Sequence, residues 1–238
     1  GVILITTKKG KVGKTVISYA GNIGWQSPTK LPDYMNSAEY AELYNEAQKN
    51  DNPNTSPRWT EEQIQKLRDG SYPDNYPNTD WQDLLYKGSG LQTSHNINLS
   101  GGTDKVRYMT SVGYLNQQGI IKPTSKKQYS LRTNLEIKAT SKLDFGVNLS
   151  YTRMDLQEPT NSYTGGGVGQ IFRQTNLISP WIPYRKSNGD YGTIGDGNPI
   201  AWIDLNQTID KKRAYFLGIG SLRYNIVDNL FIKGILSY

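Results

Sequence analysis

Aromatic and polar side chains that could bind a ligand concentrate in long polar stretches of the sequence. Aromatic faces can stack on sugar rings, while neighbouring Asn, Asp and Arg side chains hydrogen-bond hydroxyl groups. The candidates for contact with a ligand or a partner are Trp181, Tyr184, Arg185, Trp81 and Trp202. The first three are favoured because Pro180 and Pro183 restrict the backbone that carries them. For each candidate, the alternative is packing of a loop against itself.

No set of residues in the sequence indicates catalysis. His95 is the only histidine, it lies in a predicted strand, and no G-x-S-x-G motif accompanies it. Such a histidine is typical of a packed or rim position. The run from Gly165 to Gly169 resembles a phosphate-binding loop, but it lacks the Lys-Ser/Thr pair and we expect no regular helix after it. We therefore interpret it as a flexible loop, and we expect neither an enzyme nor a cofactor.

Oxygen-bearing side chains in the polar stretches could bind Ca²⁺, but their spacing matches no EF-hand loop. Turn formation is the favoured role, because Asn and Asp side chains hydrogen-bond their own backbone in turns. The chain has no cysteine, which excludes disulfide bonds and thiolate metal sites. The residues considered as calcium ligands are Asp51, Asn52, Asn54, Asp190, Asp196 and Asn198.

The elements that must position these residues are β-strands, which show as strict alternation of apolar and polar residues. The apolar members of the clearest example are Leu143, Phe145, Val147, Leu149 and Tyr151. Repeats of about ten such residues, separated by turns, are the sequence pattern of a transmembrane β-barrel. The predicted strands are 15–26, 91–100, 106–117, 128–139, 142–154, 213–226 and 230–238.

The connections between these strands alternate in length. The long ones cover 27–90, 118–127 and 155–212, and the short ones cover 101–105, 140–141 and 227–229. Outer-membrane barrels have short periplasmic turns and long external loops. The alternation therefore predicts an all-β fold, an antiparallel transmembrane β-barrel segment whose long external loops contain short helices.

Aromatic residues fall near both ends of the predicted strands, on the apolar face. This is the arrangement of the two aromatic girdles of a membrane barrel, although packing in the core of a soluble sandwich is the alternative. Toward the long loops lie Trp25, Tyr114, Tyr129 and Tyr151, and toward the short turns lie Tyr108, Phe145 and Tyr224.

Helical periodicity replaces the strand pattern in the first long connection. Asn36 or Ser37 can cap a helix that runs from Ala38 to Lys49. Thr60 and Gln63 form a capping box for a second helix that ends at Gly70, and a third is predicted from Asp80 to Tyr86.

Composition agrees with a barrel better than with a large soluble core. The apolar fraction is 35% and the mean hydropathy is −0.65, and no run approaches the roughly 18 apolar residues of a spanning helix. The net charge of +6 is spread along the chain, so we expect no nucleic-acid partner. One cluster, Lys8, Lys9, Lys11 and Lys14, predicts a solvated linker at a membrane surface, with phosphate or lipid-headgroup contact as the alternative.

Several motifs, in order, resemble the SusC/RagA-type TonB-linked outer-membrane transporters. The first ten residues resemble the end of that family's plug domain, and the stretch from Asn36 to Ala41 resembles its first long insert. Further similar motifs are Asn78-Thr79-Asp80-Trp81, Leu99-Ser100-Gly101-Gly102, the run from Tyr108 to Tyr114, Gly119-Ile120-Ile121 and Arg132-Thr133-Asn134. The similarity is clear from Gly1 through Tyr151 and looser to Tyr238.

The resemblance implies a 22-stranded barrel in the outer membrane, which matches the strand number of outer-membrane transporters with a plugged lumen. Residues 1–14 would be the end of the plug and a connector, and residues 15–238 the N-terminal part of the barrel. It further implies energy coupling through the TonB complex, a SusD-like surface lipoprotein as partner, and an oligosaccharide or peptide as substrate. The absence of an initiator Met and the apolar runs at both ends suggest a fragment whose export signal lies upstream.

Two other functions remain open at this point. A TonB-dependent receptor for ferric siderophores or cobalamin would have the same architecture. A secreted β-sandwich that binds carbohydrate would place the apolar sides of the strands in a soluble core.

Overall fold

The computed structural model describes residues 8, 10–86, 88–160, 167–192, 195, 197–205 and 208–238. They contain one antiparallel sheet of seven strands, in which each strand pairs with the next along the chain. All seven predicted strands are confirmed, and the all-β barrel-segment fold with them. The strands are β1 (Gly13–Gln26), β2 (Gly90–Gly102), β3 (Val106–Gln118), β4 (Ser125–Lys138), β5 (Leu143–Pro159), β6 (Thr208–Val227) and β7 (Leu230–Ser237).

Strand register brings the apolar residues of all strands to one side of the sheet, here called the apolar face. Val112 of β3 lies between Ile97 of β2 and Leu131 of β4, and Leu131 in turn lies beside Tyr151 of β5. The apolar face is uncovered: Ile17 is 70% exposed and Ile97 is 50% exposed. The opposite side, the polar face, carries Asn22, Ser94, Asn96, Ser111, Ser130, Arg132, Asn148 and Ser150.

The connections confirm the predicted alternation, with every long one at one end of the sheet. We call this the long-loop end and the other the short-turn end. Three strands extend further than predicted at the long-loop end, because Ser125 still pairs with Gln157 and Pro159 with Thr208. The long connections are therefore residues 27–89, 119–124 and 160–207.

Three helices in the first long connection agree with the sequence prediction. They are α1 (Ser37–Asp51), α2 (Glu61–Asp69) and α3 (Trp81–Tyr86). Asn36 caps α1 and Thr60 caps α2, each in a complete capping box. Gly70 ends α2 with a φ of 67°, a left-handed conformation that glycine adopts without steric cost. Asp51, which we expected in a turn, is the last residue of α1.

Two helices in the third long connection were not predicted. They are α4 (Gly167–Leu177) and α5 (Pro199–Leu205). The expectation that no regular helix follows the glycine run was wrong, because α4 begins within that run at Gly167. Its buried side chains Ile171, Gln174 and Thr175 recur at helical spacing, so packing overrides the low helix propensity of glycine. The rest of the run, residues 165 and 166, lies outside the described residues.

The connector before β1 crosses the polar face of the sheet. Asn134 donates a hydrogen bond from Nδ2 to the carbonyl oxygen of Lys8, at 2.6 Å. Gly10 is buried against the backbone of Tyr108, where a Cβ atom would collide with main-chain atoms. Residues 1–7, which belong to the stretch that resembles the end of a plug domain, lie outside the described residues. No helix within the described residues is long and apolar enough to cross a membrane.

Candidate ligand-binding surface at the long-loop end

The long connections fold together at the long-loop end into one unit, which we call the loop cap (residues 31–86, 119–124, 167–192 and 197–205). Apolar side chains from different loops form its small cores. In one of them, Leu85 of α3, Ile121 of the second long connection, Ile171 of α4 and Trp202 of α5 are buried together. A second core is formed by Ala38, Ala41, Ile64 and Leu67, and a third by Trp81, Ile178 and Ile182.

Hydrogen bonds join the first and third loops of the cap. The backbone N–H of Thr79 donates to the carbonyl of Pro180 at 2.9 Å, and its hydroxyl donates to the carbonyl of Ile182 at 2.7 Å. The backbone N–H of Ser187 donates to Asp74 Oδ1 at 2.8 Å, and the Ser187 hydroxyl donates to Asp74 Oδ2. These two hydrogen bonds from Ser187 lower the pKa of the half-buried Asp74 carboxyl group, the hydroxyl contributing more than the backbone.

Two of the five predicted contact residues lie in the cores of the cap. Trp81 is 4% exposed, and its indole Nε1 donates to the carbonyl of Ser179 at 3.1 Å. Trp202 is 8% exposed and packs with Leu85 and Ile171. For these two residues, the structure favours the alternative that loop aromatics pack the loop itself.

Trp181 is half-buried and is one of three aromatic side chains that surround Arg58. Its ring meets that of Trp59 edge to face, with centroids 5.8 Å apart. The guanidinium carbon of Arg58 lies 5.5 Å from the Trp181 centroid and 5.1 Å from that of Tyr44. Cation–π attraction therefore orders this group, and Arg58 occupies the position that a ligand cation would take.

Tyr184 and Arg185 are exposed at the base of a short hairpin that spans residues 184–192. Arg185 pairs with Tyr191 in the hairpin and lies over its ring, with 4.9 Å from the guanidinium carbon to the centroid. Tyr191 donates a hydrogen bond from its hydroxyl to Asp204 at 2.7 Å, and this bond is the largest cause of the raised pKa of Tyr191. Tyr184 is 39% exposed. Of the predicted contacts, these two are the most accessible, and their role stays a prediction.

A cleft of about 520 Å³ in the cap was not predicted. It lies between residues 31–36 on one side and residues 78–83 and 175–180 on the other. Carboxylates from Asp33, Asp80 and Asp83 and the phenol rings of Tyr34 and Tyr40 line it, with no lysine or arginine among its lining residues. Such groups accept hydrogen bonds from hydroxyl or ammonium groups. Because distant loops form the cleft, no local spacing could have indicated it.

His95 and Asn198, two other candidates for chemistry, have structural roles. His95 lies on the apolar face, where the hydroxyl of Tyr19 is 2.7 Å from its Nδ1, and its ring stacks between Tyr19 and Tyr114. Asn198 Oδ1 accepts hydrogen bonds from two backbone N–H groups at the start of α5, as a turn residue does. Asp196 lies outside the described residues. Within the part of the chain that the structure describes, no group of three or more His, Asp or Glu side chains is placed to hold a metal ion.

Known proteins similar to this chain are receptors and importers. No protein-family model matches. The TonB-dependent receptor P26 of Formosa agariphila is 29% identical over 100% of the chain, and the TonB-dependent receptor SusC of Bacteroides thetaiotaomicron is 26% identical over 87%. The chain spans about a fifth of these relatives, 22% and 18% of their lengths.

Solved structures of similar fold include two states of the RagAB peptide importer. The chain matches the closed-closed state with a TM-score of 0.65 at 22% identity and the open-open state with a TM-score of 0.68 at 17% identity. Each match covers 97% of this chain and 28% of the other. These likenesses establish the fold, and the sequence relatives support the resemblance seen in the motifs. The chain is thus similar, over nearly its whole length, to part of TonB-dependent receptors of the SusC type.

Proposed function

We propose that the protein takes up oligosaccharides or peptides across the outer membrane, with energy from the TonB complex and a SusD-like surface lipoprotein as partner. The observation that carries the proposal is a single sheet with an uncovered apolar face in every strand and a folded loop cap at one end. An uncovered apolar face of this extent is stable when lipid covers it. The sequence relatives that are named TonB-dependent receptors support the same conclusion.

The proposal assigns an environment to each surface. The apolar face contacts outer-membrane lipid, and the polar face lines the lumen. The long-loop end is external, as in known outer-membrane barrels. The connector at Lys8 and Gly10 lies on the polar face, which supports a path from a plug inside the lumen to β1. Residues 1–14 then belong to the end of the plug and the connector, and TonB would act through parts of the protein outside this chain.

The chemistry of the loop cap supports the choice of cargo. Tyr184 and Arg185 are exposed there, and the cleft combines phenol rings with carboxylates. Both surfaces suit hydroxyl-rich sugars or peptide amides and amines. Among the proteins of similar fold, RagAB is a peptide importer. A lipoprotein that covers the external end of the barrel would contact the loop cap.

Uptake by the full-length transporter tests the proposal. Cells that express it, with and without the proposed SusD-like lipoprotein, are given labelled oligosaccharides, labelled peptides and ferric siderophores. We expect uptake of an oligosaccharide or a peptide that requires both TonB and the lipoprotein. Uptake of a ferric siderophore alone would favour the second receptor class and refute the proposed cargo.

Solubility separates the proposal from a secreted carbohydrate-binding sandwich. In the described residues a single sheet is present, and no second sheet covers its apolar face. We expect the expressed chain to aggregate or to require detergent. A soluble monomer that binds sugar would refute the membrane assignment.

A further inference from the structure

We propose that Lys127, Arg153 and Lys212 form a binding patch for the phosphate groups of lipid headgroups in the leaflet at the long-loop end. The inference rests on the proposed membrane location and adds to it a specific lipid contact. All three side chains are exposed on the apolar face, at its boundary with the loop cap.

Strand register places the two lysines in one row across three adjacent strands. Lys127 of β4 lies beside Asp155 of β5, which lies beside Lys212 of β6. Neighbouring strands are about 4.8 Å apart, so the two lysine backbones are roughly 10 Å apart. Long lysine side chains can close that distance around one phosphate group while their methylenes stay against apolar surface.

Asp155 does not neutralise the lysines, because Arg153 binds it. The Nε and Nη2 atoms of Arg153 donate to Oδ1 and Oδ2 of Asp155 at 3.1 and 3.3 Å. Neither Lys127 nor Lys212 forms a salt bridge in the described part of the chain. Three cations against one carboxylate leave the patch positive, with both ammonium groups available to an anion.

The patch lies at the depth where headgroups are expected. Tyr129 and Tyr151 of the aromatic girdle are each two residues from a basic member of the patch, which is about 7 Å along a strand. Aromatic girdles mark the boundary between hydrocarbon and headgroups, so the lysines reach the level of lipid phosphates.

The basic row is confined to β4–β6, which indicates a local site and not a general charge of the rim. At the same level β2 and β3 carry the uncharged Thr93 and Asn116. Beyond Lys212, toward the cap, Asp210 accepts a hydrogen bond from Gln157 at 3.3 Å. This acidic residue marks the end of the basic patch on the side of the loop cap.

Lipid retention by the full-length transporter tests the patch. The protein is purified in mild detergent, incubated with lipid A or with enzymatically dephosphorylated lipid A, and the bound lipid is counted by native mass spectrometry. The double variant Lys127→Gln, Lys212→Gln removes both ammonium groups and keeps polar side chains of similar length. Lys126→Gln is the matched control, because Lys126 is the sequence neighbour that faces the polar side.

We expect the double variant to retain at least fivefold less lipid A than the unmodified protein, and Lys126→Gln to retain the same amount. Dephosphorylated lipid should bind all three proteins at the low level, and the variant Lys127→Arg, Lys212→Arg should restore retention. Millimolar inorganic phosphate should not displace the lipid, since a free phosphate lacks the acyl chains that face the apolar surface.

Equal retention by the double variant and by Lys126→Gln would overturn the patch, and so would loss of lipid on addition of inorganic phosphate alone. Heat-modifiability on gels confirms that each variant is folded before lipid is counted. Cargo uptake is measured on the same proteins. Absence of uptake by the unmodified protein would count against the proposed function, whereas lipid retention judges the patch independently.

Discussion

An arginine at position 147 should destabilise the barrel strongly, whereas one at position 148 should not. Val147 is the middle residue of the apolar band of β5, four residues from Leu143 and four from Tyr151. That band is roughly 27 Å long along the strand and roughly 20 Å high at a tilt of about 45°. Val147 therefore lies about 10 Å from either boundary of the hydrocarbon.

The expected cost of Val147→Arg comes from charge in lipid and not from crowding. The neighbour of Val147 on β6 is Gly220, which has open space where a side chain would be. An arginine near the bilayer midplane of an outer-membrane barrel costs roughly 2–4 kcal/mol. Asn148 lies on the polar face, which the proposed function assigns to the lumen, so Asn148→Arg should cost less than about 1 kcal/mol, as exposed substitutions usually do.

Reversible urea unfolding of the full-length protein in lipid vesicles, monitored by heat-modifiability on gels, measures both costs. Equal free energies of unfolding for Val147→Arg and Asn148→Arg would refute the assignment of the two faces. A larger cost for the lumen variant would invert the assignment.

Three further predictions concern the loop cap. Trp81→Ala should destabilise the cap by about 3–5 kcal/mol because it removes a large side chain from a core. Tyr184 is half-exposed, so Tyr184→Ala should cost less than about 1 kcal/mol. Hydrogen exchange of the cap amides distinguishes the two variants. Thr60→Ala should cost α2 about 1 kcal/mol through loss of its N-cap, seen as faster amide exchange in that helix alone, and unchanged exchange would argue against the cap's role. Ser187 lowers the pKa of Asp74, so their link is fully present above the ordinary aspartate pKa and is lost as the pH falls through the lowered value. Carboxyl NMR titration should show the pKa of Asp74 rising toward its ordinary value in Ser187→Ala, and an unchanged pKa would contradict this cause.

The strands could be predicted because each carries its own evidence. In β5, every second residue from Leu143 to Tyr151 is apolar, and no tertiary contact is needed to read that alternation. The helices α1 and α2 were predicted for a similar reason, since Asn36 and Thr60 act on backbone groups three residues away.

Features that depend on distant residues could not be predicted. Helix α4 starts in a glycine run, where local helix propensity is low. It is stabilised by packing against α3 and α5, and the local sequence does not reveal these contacts. The burial of Trp81 depends on Ser179 and Ile182, about a hundred positions away in the sequence. The sequence shows only that Trp81 lies in a loop, which suggested ligand contact, whereas in the structure it lies in a core. The cleft has the same origin, because Tyr34 and Asn176 come together only when the loops fold.

Spin-label accessibility along β5 tests the central claim, that alternate residues face lipid and lumen. The chain contains no cysteine, so single cysteines at positions 145 to 150 can each carry one label, in a full-length protein with no other cysteine. In lipid vesicles, we predict that collision with apolar oxygen is high at 145, 147 and 149 and low at 146, 148 and 150, with the opposite order for a water-soluble nickel complex. Uniform accessibility, or a period near 3.6 residues, would contradict the account.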